Sequence, residues 1–568
     1  MSTPEGVAEP TEEQEVPRRS SDVSDGEAQP GAKVAPAATR WLPAWLRGAQ
    51  GVAIAYEAII LASLLGLCLT VRLLWLERIE ISEDTTFKWH FVRQWFHNNQ
   101  FGDVPWTHHM ARFGMNVPVY LVQLLGSANP KNYYVVPLAS FALQVLLVYC
   151  AGRRLGSRAG GVFGAVLLSV FTGVNRDVSQ LLPDGMSGTA AILTFYLIVR
   201  YHDALDAQRT RWLLCAAAAF VWGYLVKESN VFLLPGMLIA VWLRKRSYRD
   251  ALLFAGITLL AFVLETAAFR AFTIHSSRFA IVHEGGVPKA VTFLGIFDRY
   301  VKLEPPWQMM FWLWVPTMLG MLPTKDNRVR ALLVITVSFV LFLTFLVRSI
   351  DPLILWTTFR SRYFNVVLPL MVLTMGLFSA GTVQRALATS PPAWLVSIGH
   401  LSRFGPAFVF TLCAALGLLV YWLQRPQLAQ HPLPEVTAIS RVVNDAFRRN
   451  LPIVQEYKTE RLEEARARGL KAIYSLYLKD KYIAHSDLAK NGRLPDILEA
   501  VRHDKPSKKT SYAYLLRDRS SYARGQVREL DKAGCVVRVE IITRRFFTVP
   551  LQLLPANCQA PGGGALPP

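Results

Sequence analysis

An acidic pair, Glu83-Asp84, follows the first membrane-length apolar run of the chain, residues 51–76. Carboxylates are costly near a bilayer, so two adjacent acids in this position favour a chemical role. Adjacent like charges also raise one another's pKa toward the working pH, which suits proton transfer. The aromatic segment that follows the pair could be an interfacial anchor, but an anchor would not explain the acids. The pair therefore indicates chemistry at the membrane surface.

Two other short segments carry acids or bases beside apolar runs. Asp184 follows Pro183, and Lys227-Glu228 forms a short turn between two runs. An Asp after Pro is also a good helix N-cap, so a purely structural role for Asp184 stays open.

The third segment carries Arg360 and Arg362 at the start of an apolar run. Cations at the start of a helix oppose its dipole. Binding of an anionic phosphate would explain their presence, because Arg binds phosphate oxygens through two parallel hydrogen bonds.

Composition decides the class of protein. Of the 568 residues, 52% are hydrophobic and only 18% are charged, with a mean hydropathy of +0.26. Repeated runs long enough to cross a bilayer explain these values. The sequence predicts an α-helical polytopic membrane protein with about 11 spans. Their expected positions are 51–75, 132–151, 159–177, 185–201, 211–226, 230–244, 250–272, 307–323, 330–348, 364–382 and 404–423.

Three domains follow from the composition along the chain. Residues 1–45 are rich in Pro, Glu, Ser and Ala and predict a disordered cytoplasmic tail. Residues 46–425 hold the spans. Residues 426–568 alternate predicted helices and strands, which is typical of a soluble α/β domain.

The loops that carry most Arg and Lys all fall on one side, which the positive-inside rule makes cytoplasmic. The amino terminus is then cytoplasmic and the 426–568 domain extracytoplasmic. Short loops and an Ala- and Arg-rich composition favour a bacterial inner membrane.

Several functions lose support. The net charge of +20 belongs largely to loops between spans, so no nucleic-acid partner is expected. The histidines lack a convincing third ligand, so no metal site is assigned, although a divalent cation on the acids stays open. Six cysteines include Cys535 and Cys558 in the tail, whose pairing in a disulfide also stays open.

The order of these motifs resembles the GT-C glycosyltransferases, with the protein O-mannosyltransferases and lipid A aminoarabinose transferases as the nearest branch. The likeness covers about residues 51–385 and rests on Glu83-Asp84 with Phe87 behind it, Pro183-Asp184, Lys227-Glu228 and Arg362-Tyr363. The acids stand in reverse order relative to the family motif.

The resemblance implies transfer of a sugar from a polyprenyl-phosphate donor to a hydroxyl of a lipid, glycan or protein acceptor, with inversion. It makes Glu83 the catalytic base. Asp84 or Asp184 would orient the acceptor or hold a cation. Arg362, Lys227 and Arg360 would bind the donor phosphate.

Two other readings remain. A polytopic transporter would also carry buried charges, but they should line a path across the membrane. A scaffold protein working through its basic tail should have scattered outer-loop acids.

Overall fold

A computed structural model describes the membrane part of the chain and four strands of the tail. The described residues are 49–76, 88, 89, 92, 111–126, 130–272, 278, 293–349, 354–355, 361–388, 405–428, 453–455, 510–516, 540–541 and 547–553. Glu83, Asp84, Arg360, Cys535, Cys558 and the predicted 1–45 tail lie outside them. The chain divides into two compact units, Met1–Ala55 and Tyr56–Pro568, and the described part of the first is helical.

The membrane part is built from helices. They are α1 (Ala49–Leu74), α2 (Phe113–Gly126), α3 (Val135–Arg154), α4 (Arg158–Val170), α5 (Asn175–Ser179), α6 (Pro183–Asp203), α7 (Asp206–Val226), α8 (Leu234–Trp242), α9 (Tyr248–Phe272), α10 (Phe293–Val301), α11 (Pro305–Met321), α12 (Asn327–Phe345), α13 (Leu368–Ala388) and α14 (Pro406–Leu428). Four 3₁₀ segments join them, at Pro130–Tyr134, Thr172–Val174, Glu228–Leu233 and Ser361–Val366.

Two small sheets complete the described backbone. Strands β1 (Val347–Ser349) and β2 (Ile354–Leu355) pair antiparallel. In the tail, β3 (Ile453–Gln455), β4 (Thr510–Leu516), β5 (Glu540–Ile541) and β6 (Phe547–Leu553) form a sheet in the order β3-β4-β6-β5. β3 runs parallel to β4, and the other neighbours are antiparallel. The predicted tail helices lie outside the described residues, so an α/β domain stays a prediction.

Each predicted span overlaps a helix, but fewer helices meet a strict spanning test. Within the described ranges, five are long and apolar enough to cross a membrane, and a sixth qualifies if the chain from Arg158 to Ser179 counts as one span. That pair of helices bends by 55° near Phe171, where the sequence predicts one unbroken helix. The remaining helices are too short or too polar, so the count of about 11 stays a prediction.

The sequence also misses two of the described helices, α2 and α10. The region 77–131 is expected to be an outer loop, yet α2 lies within it. Its residues Met115, Val119 and Gln123 are buried and recur every four positions, as they do on one face of a helix. The helix is only 14 residues long and contains Pro118, a residue that sequence reasoning treats as a helix breaker.

Helix α6 is central, with most of its residues buried, and it packs against α3, α7 and the Ser361–Val366 segment. Gly188 allows the last of these contacts. A Cβ atom placed there would lie 2.4 Å from the backbone oxygen of Asn365. Small residues of this kind let membrane helices and their neighbours approach closely. Gly188 therefore fixes how near the Arg362 segment comes to α6.

We expect Gly188→Ala to lower the thermal unfolding midpoint of the purified protein in detergent. The new methyl group would press on backbone, and overpacking of this kind costs about 1–3 kcal/mol. Gly256→Ala is the matched control, because a Cβ at Gly256 has no neighbour within 4 Å. It should leave the midpoint unchanged or raise it slightly, since Ala favours helix. Equal midpoints for the two variants would show that the close approach at Gly188 is not needed.

Candidate functional site

A buried ion pair joins two of the predicted site residues. Asp184 lies in the first turn of α6, directly after Pro183, whose fixed φ suits a helix start. Lys227 follows the end of α7 in extended conformation. The Lys227 Nζ atom donates to Asp184 Oδ1, and the two side chains are 5% and 1% exposed. Two charges withdrawn from water to this extent are stable only as a pair.

The third segment adds a cation beside this pair. Arg362 Nε lies 3.9 Å from Asp184 Oδ2, and the Arg362 side chain is 22% exposed. Tyr363 places its ring centroid 4.0 Å from Lys227 Nζ, within the range of a cation–π contact. The structure thus brings Asp184, Lys227 and Arg362 together from three parts of the chain. Arg362 is the member of this cluster with access to solvent.

The capping alternative for Asp184 does not describe the structure. The N-cap position of α6 is Leu182, and no side chain caps the helix there. The Asp184 carboxylate is instead engaged with Lys227. The residue therefore serves a contact between helices.

Glu228, next to Lys227, reaches a different partner. Its carboxylate accepts from Arg112 Nη2 at 2.8 Å, and both side chains are largely buried. Burial acts to raise the pKa of Glu228, but the nearby cations, with Arg112 foremost, hold that pKa well below its ordinary value. Glu228 thus anchors the turn that carries Lys227 to the residues just before α2.

Asp177 also belongs to the cluster, although the sequence analysis assigns it no role. It lies in α5 and is 4% exposed, and its Oδ2 atom accepts from Asn365 Nδ2 at 2.6 Å. Burial and the neighbouring Asp184 raise the pKa of Asp177 above its ordinary value. The available signal was its place in the outer loop seven residues before Asp184, which is too general to single out one carboxylate.

A cavity of about 400 Å³ adjoins the cluster on the side of Arg362. Its wall carries basic and acidic side chains together with Trp307. The charged residues are Arg176, Asp177, Arg299, Lys302, Glu304 and Arg362. The buried cluster therefore opens toward a space that a small molecule could fill.

The first outer loop also contacts this region. Lys88, four positions after Asp84 in the sequence, is fully buried and donates to the Leu181 backbone oxygen at 2.9 Å. Gln123 Nε2 donates to the Trp89 oxygen at 2.8 Å. Lys88 and Trp89 are therefore held beside the segment that leads into Asp184. Glu83, Asp84 and Arg360 lie outside the described residues, and their roles stay predictions.

No group of three or more His, Cys, Asp or Glu side chains is placed to hold a metal ion in the described part of the chain. Asp184 already faces the ammonium of Lys227. A divalent cation on the Glu83-Asp84 pair stays a prediction.

Comparison with known proteins bears on the fold of the chain and on its family. The family model described as dolichyl-phosphate-mannose-protein mannosyltransferase matches residues 119–268, a stretch that contains Asp184 and Lys227. The crystal structure of ArnT from Cupriavidus metallidurans in the apo state has a TM-score of 0.52 to this chain. That similarity covers 88% of this chain and 98% of ArnT at 13% identity. The chain therefore resembles the GT-C glycosyltransferases, in fold along most of its length and in sequence over residues 119–268. The resemblance predicted from the motifs is confirmed.

Two other solved GT-C structures are more distant. ArnT from Cupriavidus metallidurans bound to undecaprenyl phosphate has a TM-score of 0.49 at 13% identity, over 89% of this chain and 98% of that one. Archaeal oligosaccharyltransferase AglB from Archaeoglobus fulgidus, in complex with an inhibitory peptide and a dolichol-phosphate, has a TM-score of 0.38 at 11% identity, over 64% and 56%. No curated protein sequence matches the chain.

We expect Asp184→Asn to lower the free energy of unfolding by about 3–5 kcal/mol, because it leaves the buried Lys227 ammonium without its carboxylate. The double variant Asp184→Asn/Lys227→Gln should lose less than the sum of the two single variants. Denaturant or thermal unfolding in detergent measures both effects.

The control for this prediction is Lys245→Gln, which breaks a pair with Asp206 whose side chains are 54% and 69% exposed. It should cost about 0–1 kcal/mol. If Asp184→Asn is as mild as this control, the buried pair does not hold the site together.

Proposed function

We propose that the protein transfers a sugar from a polyprenyl-phosphate donor to an acceptor hydroxyl on the extracytoplasmic face of the membrane. The observation that carries the proposal is the convergence of Asp184, Lys227 and Arg362 at one end of the helices. The matched family model adds support, since its description names a dolichyl-phosphate-linked sugar and a protein acceptor. The acceptor of this chain is a lipid, glycan or protein.

The reaction is a single displacement. A carboxylate removes the proton of the acceptor hydroxyl, and the oxygen attacks the anomeric carbon of the donor sugar. The bond from that carbon to the phosphate oxygen breaks, and polyprenyl phosphate leaves with the electron pair. Because no covalent intermediate forms, the anomeric configuration is inverted. We assign the base to Glu83, with Asp84 beside it to orient the acceptor or hold a cation.

The leaving phosphate gains negative charge in this step, and a cation fixed beside it stabilises the transition state. Arg362 suits that task because it is partly exposed and borders the cavity. Lys227 is paired with Asp184, so it would act on the phosphate by long-range electrostatic attraction and not by a direct hydrogen bond. We propose that Asp184 holds these two cations in position, with Arg360 as a further phosphate ligand.

The distribution of charge along α6 favours an enzyme over a transporter. Asp184 lies at the start of α6, and Asp203 lies at its end and pairs with Arg154 and Arg328 at 2.6 and 3.0 Å. The helix rise places these two acids about 28 Å apart. Residues 185–199 between them include no charged residue. A path of charges across the membrane along this helix is therefore not supported.

The position of Asp177 argues against a scaffold whose outer acids are scattered. The Asp184 carboxylate lies close enough to Asp177 to raise the pKa of Asp177, and Asn365 ties Asp177 to the Arg362 segment. These two acids therefore belong to one cluster. We place this end outside the cytoplasm, in a bacterial inner membrane, on the strength of the basic loops on the other side.

We expect Glu83→Gln to reduce sugar transfer about 10²- to 10⁴-fold while donor binding persists, since only the proton acceptor is lost. The assay uses membranes incubated with radiolabelled polyprenyl-phosphate sugars, followed by identification of the labelled product. Asp84→Asn should also be impaired. A dead Asp84→Asn beside an active Glu83→Gln would exchange the two roles. Full activity of both would remove the site from this loop.

We expect Arg362→Ala to lower the turnover number about 10²- to 10³-fold, the range seen when one preorganised donor to a developing oxyanion is removed. Arg362→Lys should recover part of the loss, since it keeps a charge without the planar fork. Arg330→Ala is the control, because Arg330 is exposed and lies two residues after Arg328, which pairs with Asp203 at the other end of α6. Turnover equal to that of the control would overturn the phosphate assignment of Arg362.

A further inference from the structure

We infer that the cavity beside Arg362 is a binding site for a hydroxylated anion, a phosphorylated or carboxylated sugar, with Arg299 holding the anionic group and Asp177 a hydroxyl. The choice of ligand class rests on the proposed function. The residues that form the site do not depend on it, since they follow from the cavity itself.

The cavity has the size and composition of a small-molecule site. Its volume is about 400 Å³, and small-molecule sites typically span about 300–1,000 Å³. It lies among α5, α10, the start of α11 and the Ser361–Val366 segment. Trp307 forms an apolar part of the wall and is held in place, since its Nε1 donates to the Gly173 oxygen at 3.1 Å. Its ring also meets Phe171 edge to face at 5.0 Å.

The charge of the wall selects an anion. Four cationic side chains, those of Arg176, Arg299, Lys302 and Arg362, face two acidic ones, Asp177 and Glu304. Lys302 is largely exposed and also pairs with Asp298. Cations around one small space bind phosphate or carboxylate through charge-assisted hydrogen bonds.

Two buried polar atoms without hydrogen-bond partners narrow the class of ligand further. Arg299 Nη1 is a buried donor and Asp177 Oδ1 a buried acceptor, and neither has a hydrogen-bond partner within the described ranges. Leaving such a group unsatisfied is unfavourable. Both residues line the same cavity. A ligand that brings an anionic oxygen to Arg299 and a sugar hydroxyl to Asp177 would satisfy both.

Two molecules in the proposed reaction can supply this chemistry. One is the sugar-phosphate headgroup of the donor, and the other is an acceptor glycan that carries phosphate or carboxylate. Arg362 borders both the cavity and the Asp184–Lys227 pair, so either molecule would lie next to the transfer site.

The test is isothermal titration of the purified full-length protein in nanodiscs with mannose 1-phosphate, methyl mannoside and inorganic phosphate. Mannose 1-phosphate should bind more tightly than either comparator. Arg299→Gln should weaken mannose 1-phosphate and inorganic phosphate alike by about tenfold or more, as expected for a lost hydrogen bond to a charged group. Arg299→Lys should be weakened less. Arg330→Gln, the matched control, should bind as the wild type does.

Asp177→Asn separates the two contacts. It should weaken mannose 1-phosphate more than inorganic phosphate, because Asp177 holds a sugar hydroxyl whereas Arg299 holds the phosphate. The amide is close in shape to the carboxylate, so this variant should keep its unfolding midpoint. Failure of the wild type to bind mannose 1-phosphate, or equal affinity in Arg299→Gln and the wild type, would overturn the inference.

Repeating the titration with saturating polyprenyl phosphate and with its sugar-loaded form distinguishes the sources. Loss of mannose 1-phosphate binding only with the sugar-loaded form assigns the cavity to the donor headgroup, and retention with both assigns it to the acceptor. A protein that binds mannose 1-phosphate but transfers no sugar would keep the site and refute the proposed function. Normal transfer by Arg299→Gln, with unchanged KM for both substrates, would refute the site alone.

Discussion

The geometry of the candidate site depends on the buried ion pair between Asp184 and Lys227. It ties the first turn of α6 to the residue that follows α7, and Arg362 and Tyr363 join it from the segment before α13. A buried pair adds little net stability, because desolvation offsets much of the attraction. What it supplies is position, since neither charge can move without leaving the other unpaired. The neighbouring contacts obey the same constraint: the Asn365 oxygen meets α6 where Gly188 has no side chain, and the Asn365 amide binds Asp177.

Two adjacent residues, Lys227 and Glu228, connect the ion pair to the neighbouring segments. Lys227 contacts Asp184, whereas Glu228 contacts Arg112 just before α2. Arg278 extends this network, since it is almost fully buried, pairs with Glu265 at 3.1 Å and donates to the Leu225 oxygen at 3.0 Å. Backbone oxygens at the end of α7 are thereby satisfied by a side chain from a distant part of the sequence. The cations at this end therefore serve two purposes. Lys227, Arg112 and Arg278 hold the connecting segments together, whereas Arg362 borders the cavity.

Sequence and structure agree most where one local signal decides the outcome. Apolar runs predicted a helix at each expected span, and short motifs singled out Asp184, Lys227 and Arg362. The misses depend on tertiary contacts. Asp177 becomes part of the cluster because the chain bends by 55° after α4, which places α5 next to the start of α6. The sequence pattern predicts no such bend. Arg299 lies on the nine-residue helix α10, within a region that the sequence predicts as a loop, so its charge has the same signal as that of any loop arginine. Proximity across the fold, not residue type, identifies both.

The charge balance of the cluster bears on the chemistry. Asp184 neutralises Lys227, and the cationic side chains of the cavity wall outnumber the acidic ones. An excess of positive charge, to which Arg362 contributes, therefore lies beside the buried pair. The site is thus preorganised for an added anion. Because water is largely excluded around Asp184 and Lys227, charge that develops on a bound phosphate would interact with this excess more strongly than in bulk solvent. A polyprenyl phosphate that leaves the sugar develops such a charge, whereas a neutral solute passing through a channel does not. The electrostatics of the cluster therefore favour group transfer at this end of the membrane domain.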